Sequence, residues 1–221
     1  MDTQLGLQLV LLGPPGAGKG TQANLLIQKV AIPHISTGDI LRAEARKGSE
    51  LGREARTLMD KGQLVPDDLM LRIVAERLKA DDCANGFLLD GFPRSRPQAR
   101  ALEVIVTPSE TRFVAACLDV PCDVVVRRLS GRRTCRDCGA MFQVEFSPPK
   151  VTGICDRCES ELYQRDDDCE DVIQARLKIY NEETQPLLEF YGKRDQLVSV
   201  DGTGAAIEVA KRLHQALGVE S

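Results

Sequence analysis

Apolar runs alternate with helix-like segments along most of the chain. The runs at 7–13, 87–91, 113–120 and 197–202 are short and almost continuously hydrophobic. Runs of this length and composition predict strands that are buried on both faces. Buried strands separated by helices are typical of a parallel sheet that is covered by helices on both sides. The pattern therefore predicts an α/β fold built on a parallel sheet.

Two stretches interrupt this alternation. The first, 37–64, reads as short helices without a strand, and Gly48, Gly52 and Gly62 are expected to join them. The second, 131–166, contains four of the eight cysteines and shows little helical periodicity. Both are predicted to be insertions, with residues 1–35, 66–130 and 168–221 forming one core, 36–65 the first insertion and 131–167 the second.

A glycine-rich segment, GPPGAGKGTQ at 13–22, follows the first predicted strand and precedes a helix-like run at 23–30. A loop in this position can direct backbone N–H groups at a phosphate, and the start of the helix adds partial positive charge. The usual phosphate loop has Ser or Thr directly after Gly-Lys, whereas this chain has Gly20 there and its hydroxyl one residue later, at Thr21. A glycine-rich turn with an incidental lysine is the alternative interpretation. The residues expected to bind an oligophosphate are Gly16, Ala17, Gly18 and Lys19.

Two cysteine pairs, Cys135-x-x-Cys138 and Cys155-x-x-Cys158, are separated by sixteen residues. Two tight pairs at this distance are typical of a tetrahedral structural zinc site, although iron also accepts four thiolates. The alternative is two disulfides, which a reducing compartment disfavours. Four thiolates leave no open coordination position, so the metal is expected to fold this insertion rather than to take part in chemistry.

The charge of the chain limits the classes of partner. The formal net charge is -4 and the pI is about 5.4. A general nucleic-acid-binding protein is expected to be basic, so the charge of this chain argues against that class. No apolar stretch approaches the roughly 20 residues that span a bilayer, and the run at 5–12 lacks the basic flank of a signal peptide. We therefore expect a cytoplasmic protein whose partners include neither nucleic acid nor membrane.

Three motifs, GPPGAGKGTQ at 13–22, STGDILR at 36–42 and DGFPRSRPQA at 90–99, resemble the successive signatures of the adenylate kinases. The resemblance runs nearly from end to end. It implies a P-loop NTPase-like fold with two mobile insertions, an AMP-binding one and a lid that carries zinc in many members. It also implies a monomer that converts MgATP and AMP reversibly into two ADP. In this family the loop reads Gly-Lys-Gly-Thr, magnesium is held mainly by phosphates and waters, and Asp90 stands where an acidic residue orients those waters.

The resemblance also implies roles for individual residues. The expected ATP-binding residues are Gly16, Ala17, Gly18, Lys19, Gly20, Thr21, Arg128, Arg132 and Gly204, although many members have Lys in place of Gly204. The expected AMP-binding residues are Thr37, Gly38, Arg42, Gln63, Val65, Gly91, Arg94, Gln98, Arg165 and Arg176. The expected catalytic residues are Lys19, Arg94, Arg128, Arg132, Arg165 and Arg176. Asp167 and Asp168 are expected to tie the closed lid to the core.

Simpler interpretations exist for several of these residues. Ser36 or Thr37 can cap a helix, and arginine runs usually form solvated faces. Kinases for UMP or CMP share the loop and the arginines but usually have Ala at the position of Thr37, so Thr37 together with Gln98 favours AMP. A zinc-ribbon module that binds nucleic acid is a further alternative, against which the acidic charge and the lack of an aromatic stacking surface argue.

Overall fold

The computed structural model describes residues 6–106 and 111–219. The parts of the predicted core at 1–5, 107–110 and 220–221 therefore lie outside the described residues. The strands are β1 (Leu7–Leu12), β2 (His34–Ser36), β3 (Gly86–Asp90), β4 (Arg112–Asp119), β5 (Arg132–Cys135), β6 (Met141–Gln143), β7 (Leu162–Tyr163) and β8 (Leu197–Asp201). The helices are α1 (Lys19–Leu26), α2 (Thr37–Lys47), α3 (Glu50–Asp60), α4 (Asp67–Leu78), α5 (Arg96–Ile105), α6 (Cys122–Ser130), α7 (Glu170–Ile179), α8 (Pro186–Gly192) and α9 (Ala206–Leu217).

A parallel sheet in the order β2-β3-β1-β4-β8 forms the centre of the protein. Successive residues of a strand point to opposite faces, so Val10 and Leu12 pack on one side while Leu9 and Leu11 pack on the other. The first side is covered by residues of α4, α5 and α8, and the second by residues of α1, α6, α7 and α9. The predicted α/β fold with helices on both faces of a parallel sheet is confirmed.

The boundaries of the first two helical segments differ from the sequence prediction. Helix α1 begins at Lys19, inside the glycine-rich motif, and ends at Leu26. A turn follows, in which Lys29 N–H and Val30 N–H both donate to Leu26 O. Gly52 lies within α3 rather than at a junction. A Cβ at Gly52 would stand 2.2 Å from Glu44 O of α2, so glycine allows these two helices to approach closely.

The second insertion contains a small antiparallel sheet in the order β6-β5-β7, which the sequence pattern did not predict. Its buried cluster consists of Cys135, Ala140, Cys155 and Leu162, with Phe142 packed against it. A cluster of this size buries too little apolar surface to stabilise a sheet by itself. Two of the cysteines lie in this cluster, where a bound metal would add the missing stability. Among the described helices, none is long and apolar enough to cross a membrane.

Candidate active site

The glycine-rich loop joins β1 to α1 at the carboxyl end of the sheet. Gly16 and Gly18 have φ values of 80° and 95°, a region that side-chain-bearing residues rarely adopt. This conformation directs the N-terminus of α1 at the space above the sheet, where its partial positive charge favours an anion. Ala17 N–H was predicted to face a phosphate, but it donates to Pro14 O at 3.1 Å within the loop.

Lys19 folds back over this loop. Its Nζ donates to Gly13 O at 2.8 Å and to Pro14 O at 2.9 Å. Burial lowers the pKa of Lys19 to about 8, and the nearby Asp90 carboxylate opposes this shift. An anion bound beside Lys19 would offset the desolvation cost of its charge, so this position favours a phosphate.

A cavity of about 850 Å³ lies above the carboxyl ends of the strands and beneath the second insertion. Arg128 lies in its wall and donates to Ala17 O at 3.3 Å and to Gly202 O at 3.0 Å, so it joins the loop to the end of β8. The residues predicted to bind ATP all line this cavity, and they are Gly16, Ala17, Gly18, Lys19, Gly20, Thr21, Arg128, Arg132 and Gly204.

Asp90 ends β3 and lies against Gly20. A Cβ at Gly20 would stand 3.5 Å from Asp90 Oδ2, so the carboxylate borders the position where a usual phosphate loop has its hydroxyl. His34 Nε2 is 3.7 Å from the same oxygen. Carboxylate oxygens are ligands suited to Mg²⁺ or to its waters, and this donor is compatible with the water-mediated magnesium role that the sequence predicts for Asp90.

A second pocket, of about 70 Å³, adjoins the first between α2, α3 and the start of α5. Gln98, which is 2% exposed, lies in its wall. Thr37 Oγ1 donates to Asp90 O at 3.3 Å, and Arg94 Nε donates to Gly91 O at 2.8 Å. The predicted AMP-binding residues that line this pocket are Thr37, Gly38, Arg42, Gln63, Val65, Gly91, Arg94, Gln98 and Arg176, whereas Arg165 lines the larger cavity.

Arginines converge where the two pockets meet. Arg42, Arg94 and Arg176 line both. Burial lowers the pKa of Arg176 to about 10, and it lowers that of Arg165 to about 10 with help from the positive charge of the neighbouring arginines. Concentrated, partly desolvated positive charge of this kind favours a polyanion at the junction.

The acidic turn before α7 pairs with Arg176 and with Arg132, which lines the larger cavity. Arg176 Nη1 donates to Asp167 Oδ2 at 2.8 Å, and Arg132 Nε donates to Asp168 Oδ2 at 2.7 Å. Arg132 begins β5 of the second insertion, whereas Arg176 belongs to α7 of the core. The turn therefore connects the insertion to the core in this structure, which is the position that the predicted lid-closing role requires.

The four paired cysteines meet in the second insertion. Their Sγ atoms all lie within 4.8 Å of one another; Cys135 Sγ is 3.4 Å from Cys158 Sγ, and Cys138 Sγ is 3.5 Å from Cys155 Sγ. A disulfide requires about 2.05 Å, and all four cysteines are free thiols. Zinc–sulfur bonds of about 2.3 Å in a tetrahedron place the sulfurs roughly 3.8 Å apart. The four thiols therefore fit a tetrahedral metal site.

Several residues of the site had no signal in the sequence. Met141, Phe142 and Phe146 of the second insertion line the larger cavity and bring apolar surface to it. Asp67 hydrogen-bonds the Gln98 side chain, a contact between residues 31 positions apart. Its place in the first turn of a helix explains a carboxylate sufficiently, so no further role could be read from the sequence.

A phosphate loop at the carboxyl end of a parallel sheet, with arginines between two adjoining pockets, defines a phosphotransferase of the P-loop class. A sequence model of the family described as adenylate kinase matches residues 11–196. The chain is 49% identical over 213 residues to an adenylate kinase of Syntrophobacter fumaroxidans, covering 96% of this chain and 100% of that one. It is 52% identical over 204 residues to an adenylate kinase of Thermodesulfovibrio yellowstonii, covering 92% and 95%, and 50% identical over 212 residues to one of Methanocella arvoryzae, covering 96% and 98%. The chain belongs to the adenylate kinase family.

Proposed function

We propose that the protein transfers the terminal phosphoryl group of MgATP to AMP, reversibly, and so produces two ADP. The observation that carries this proposal is the shared cationic wall, in which Arg42, Arg94 and Arg176 line both pockets. Two nucleotides whose phosphates meet at this wall would have donor and acceptor aligned and their repulsion reduced.

The larger cavity would take ATP. Gly16, Gly18 and Lys19 would bind the phosphates, and Arg128 and Arg132 would hold the chain from the side of the second insertion. Lys19 Nζ would exchange its hydrogen bonds to the carbonyls of Gly13 and Pro14 for hydrogen bonds to the phosphate. The lysine would then have an oppositely charged partner. Backbone around Gly204 would border the base.

The smaller pocket would take AMP. Thr37 and Gly38 begin α2, whose N-terminus favours the phosphate, and Arg42 and Arg94 would grip that phosphate. Backbone at Gln63 and Val65, together with Gly91 and Gln98, would enclose the base. Arg165 and Arg176 would neutralise the phosphoryl group during transfer.

This arrangement suits phosphoryl transfer without a strong base. The acceptor is a phosphate oxygen that is already ionised, so catalysis requires alignment and neutralisation of charge. Magnesium, when bound with ATP, supplies further positive charge, and Asp90 would hold its waters beside Gly20. Closure of the second insertion, tied by Asp167 and Asp168, would exclude water, which competes as an acceptor.

We propose zinc as the metal of Cys135, Cys138, Cys155 and Cys158. The four sulfurs fit its tetrahedral geometry, and a bound metal would fold the small sheet around it. Its role would be structural. The proposal also places the protein in the cytoplasm as a monomer with ATP, AMP and ADP as its partners, which fractionation and light scattering would test.

The net reaction is tested by ³¹P NMR of purified protein with MgATP and AMP. Two ADP should form for each AMP consumed, and the same equilibrium should be reached from ADP alone. Consumption of ATP without AMP would indicate an ATPase instead. Tight, salt-sensitive binding of single-stranded oligonucleotides without transfer would favour the nucleic-acid alternative.

A further inference from the structure

The side-chain amide of Gln98 is fixed from both ends. Gln98 lies in the first turn of α5 and in the wall of the smaller pocket. Its Nε2 donates to Asp67 Oδ1 at 2.6 Å, and its Oε1 accepts from Arg94 N–H at 2.7 Å. Asp67 in turn accepts from Ser95 Oγ at 3.0 Å through its other oxygen.

The chemistry of these partners determines which way the amide faces. An ionised carboxylate can only accept hydrogen bonds, and a backbone N–H can only donate. A half-turn of the amide would bring Gln98 Oε1 against the Asp67 carboxylate and Nε2 against Arg94 N–H, so both hydrogen bonds would become repulsive. The orientation therefore follows from the partners, although a glutamine amide alone allows either one.

A fixed amide can distinguish ring edges that a rotating amide cannot. After its two bonds, Gln98 keeps one N–H and one acceptor lone pair. The edge of a 6-aminopurine pairs a ring acceptor with an amino donor and complements this set. A 6-oxopurine presents a ring N–H donor and a carbonyl acceptor at the same atoms, which complements only the reversed amide.

We infer that Asp67 is a positioning residue that sets the selectivity of the smaller pocket for a 6-aminopurine over a 6-oxopurine. The inference rests on the proposed function, since it takes the acceptor to be a purine nucleoside monophosphate. Asp67 acts through Gln98, whose amide orientation it holds. Selectivity therefore depends on this carboxylate as well as on the presence of a glutamine.

Asp67→Asn tests the inference, with Asp68→Asn as the matched control. Both carboxylates lie in the first turn of α4, and Asp68 is exposed. An asparagine at 67 can donate as well as accept, so the reversed Gln98 amide becomes available. The measured quantity is the ratio of kcat/KM for AMP to that for IMP, because IMP presents the 6-oxopurine edge without other additions.

The ratio should fall by about tenfold in Asp67→Asn, which corresponds to one hydrogen-bond preference, and stay unchanged in Asp68→Asn. Arg94 N–H remains and should preserve part of the selectivity. An unchanged ratio in active Asp67→Asn enzyme would overturn the inference and leave the proposed function intact. Failure of the wild-type protein to use AMP would instead remove the proposed function.

A measurement on the wild-type protein does not depend on how Asp67→Asn folds. The side-chain NH₂ signals of Gln98, assigned by their loss in Gln98→Leu, should exchange slowly with solvent in the ligand-free protein, because one N–H is bonded to a carboxylate and the side chain is buried. Rapid exchange, as for an exposed glutamine, would contradict the fixed orientation.

Discussion

Arg132 and Asp168 form a two-point ion pair, with Nε 2.7 Å from Oδ2 and Nη2 2.5 Å from Oδ1. The Asp168 side chain is 0% exposed and that of Arg132 is 18% exposed. An arginine proposed to hold the ATP phosphates is thus also the partner of a buried carboxylate. The pair links β5 of the second insertion to the turn that precedes α7.

Breaking this pair should destabilise the fold. Asp168→Asn would leave Arg132 without its ionic partner and weaken the nearby contact to Arg176, which lies 3.6 Å away. We expect the free energy of unfolding to fall by about 2 kcal/mol or more. Chemical denaturation measures this, and Asp166→Asn, at an exposed neighbour in the same turn, should change stability little. Equal stability of the two variants would show that the pair contributes nothing.

Removal of Lys19 should abolish most turnover. Lys19→Ala takes away the cation proposed to stabilise the transferring charge, and kcat should fall on the order of a thousandfold. Lys29→Ala, at an exposed position just beyond α1, is the control and should retain activity. Steady-state assays of both variants make the comparison. Near-normal activity of Lys19→Ala would remove the loop from the proposed mechanism.

The lowered pKa of Lys19 also predicts a pH dependence of stability. Burial lowers this pKa from 10.5 to about 8, so between these values the unfolded chain binds more protons than the native protein. The contribution of Lys19 to stability therefore rises with pH across this window, and the cost of the buried charge is fully present below it. The stability of Lys19→Met relative to wild type should be higher at pH 7 than at pH 10. A relative stability that increased with pH in urea titrations would refute this assignment.

Arg94 should matter more to the acceptor than to the donor. Arg94→Ala is expected to raise KM for AMP by roughly 10- to 100-fold through loss of charge-assisted hydrogen bonds, with a smaller change in KM for ATP. Arg100→Ala, at an exposed position on α5, serves as the control. Initial rates with each substrate varied separately give both constants. Equal increases for the two nucleotides would argue against the acceptor role.

The metal site should couple binding to folding. Cys135→Ser removes one buried sulfur from the cluster, and we expect loss of bound metal and a Tm lower by at least about 4 °C. Cys122→Ser changes an exposed cysteine outside the cluster and should alter neither quantity. Elemental analysis and calorimetry provide the two measurements. Reduced wild-type protein without zinc or iron would contradict the assignment.

The parallel sheet could be predicted from the sequence because strands buried on both faces are nearly continuous apolar runs, as at 113–120. It predicted the capping of α2 equally well, since Ser36 Oγ accepts from Asp39 N–H at 3.2 Å. These features are local. Gly52 was predicted to join two helices, but it lies within α3, where glycine allows α2 to pack closely. No local sequence pattern records the approach of another helix.

The features that escaped prediction depend on contacts between distant segments. Strands β5, β6 and β7 have four, three and two residues, too few for a periodicity to appear, and they surround the cysteine cluster. The bond from Gln98 to Asp67 joins two helices, and each residue has a sufficient local explanation. The residue boundaries of the insertions and the individual site roles remain predictions.

The central claim is that the acceptor is AMP, and initial rates with AMP, UMP, CMP and GMP at one MgATP concentration test it most directly. A pocket built on Thr37, Arg42, Arg94 and Gln98 predicts a kcat/KM for AMP at least about a hundredfold above the others, as expected when a site hydrogen-bonds one base edge. A higher kcat/KM for UMP or CMP than for AMP would contradict it.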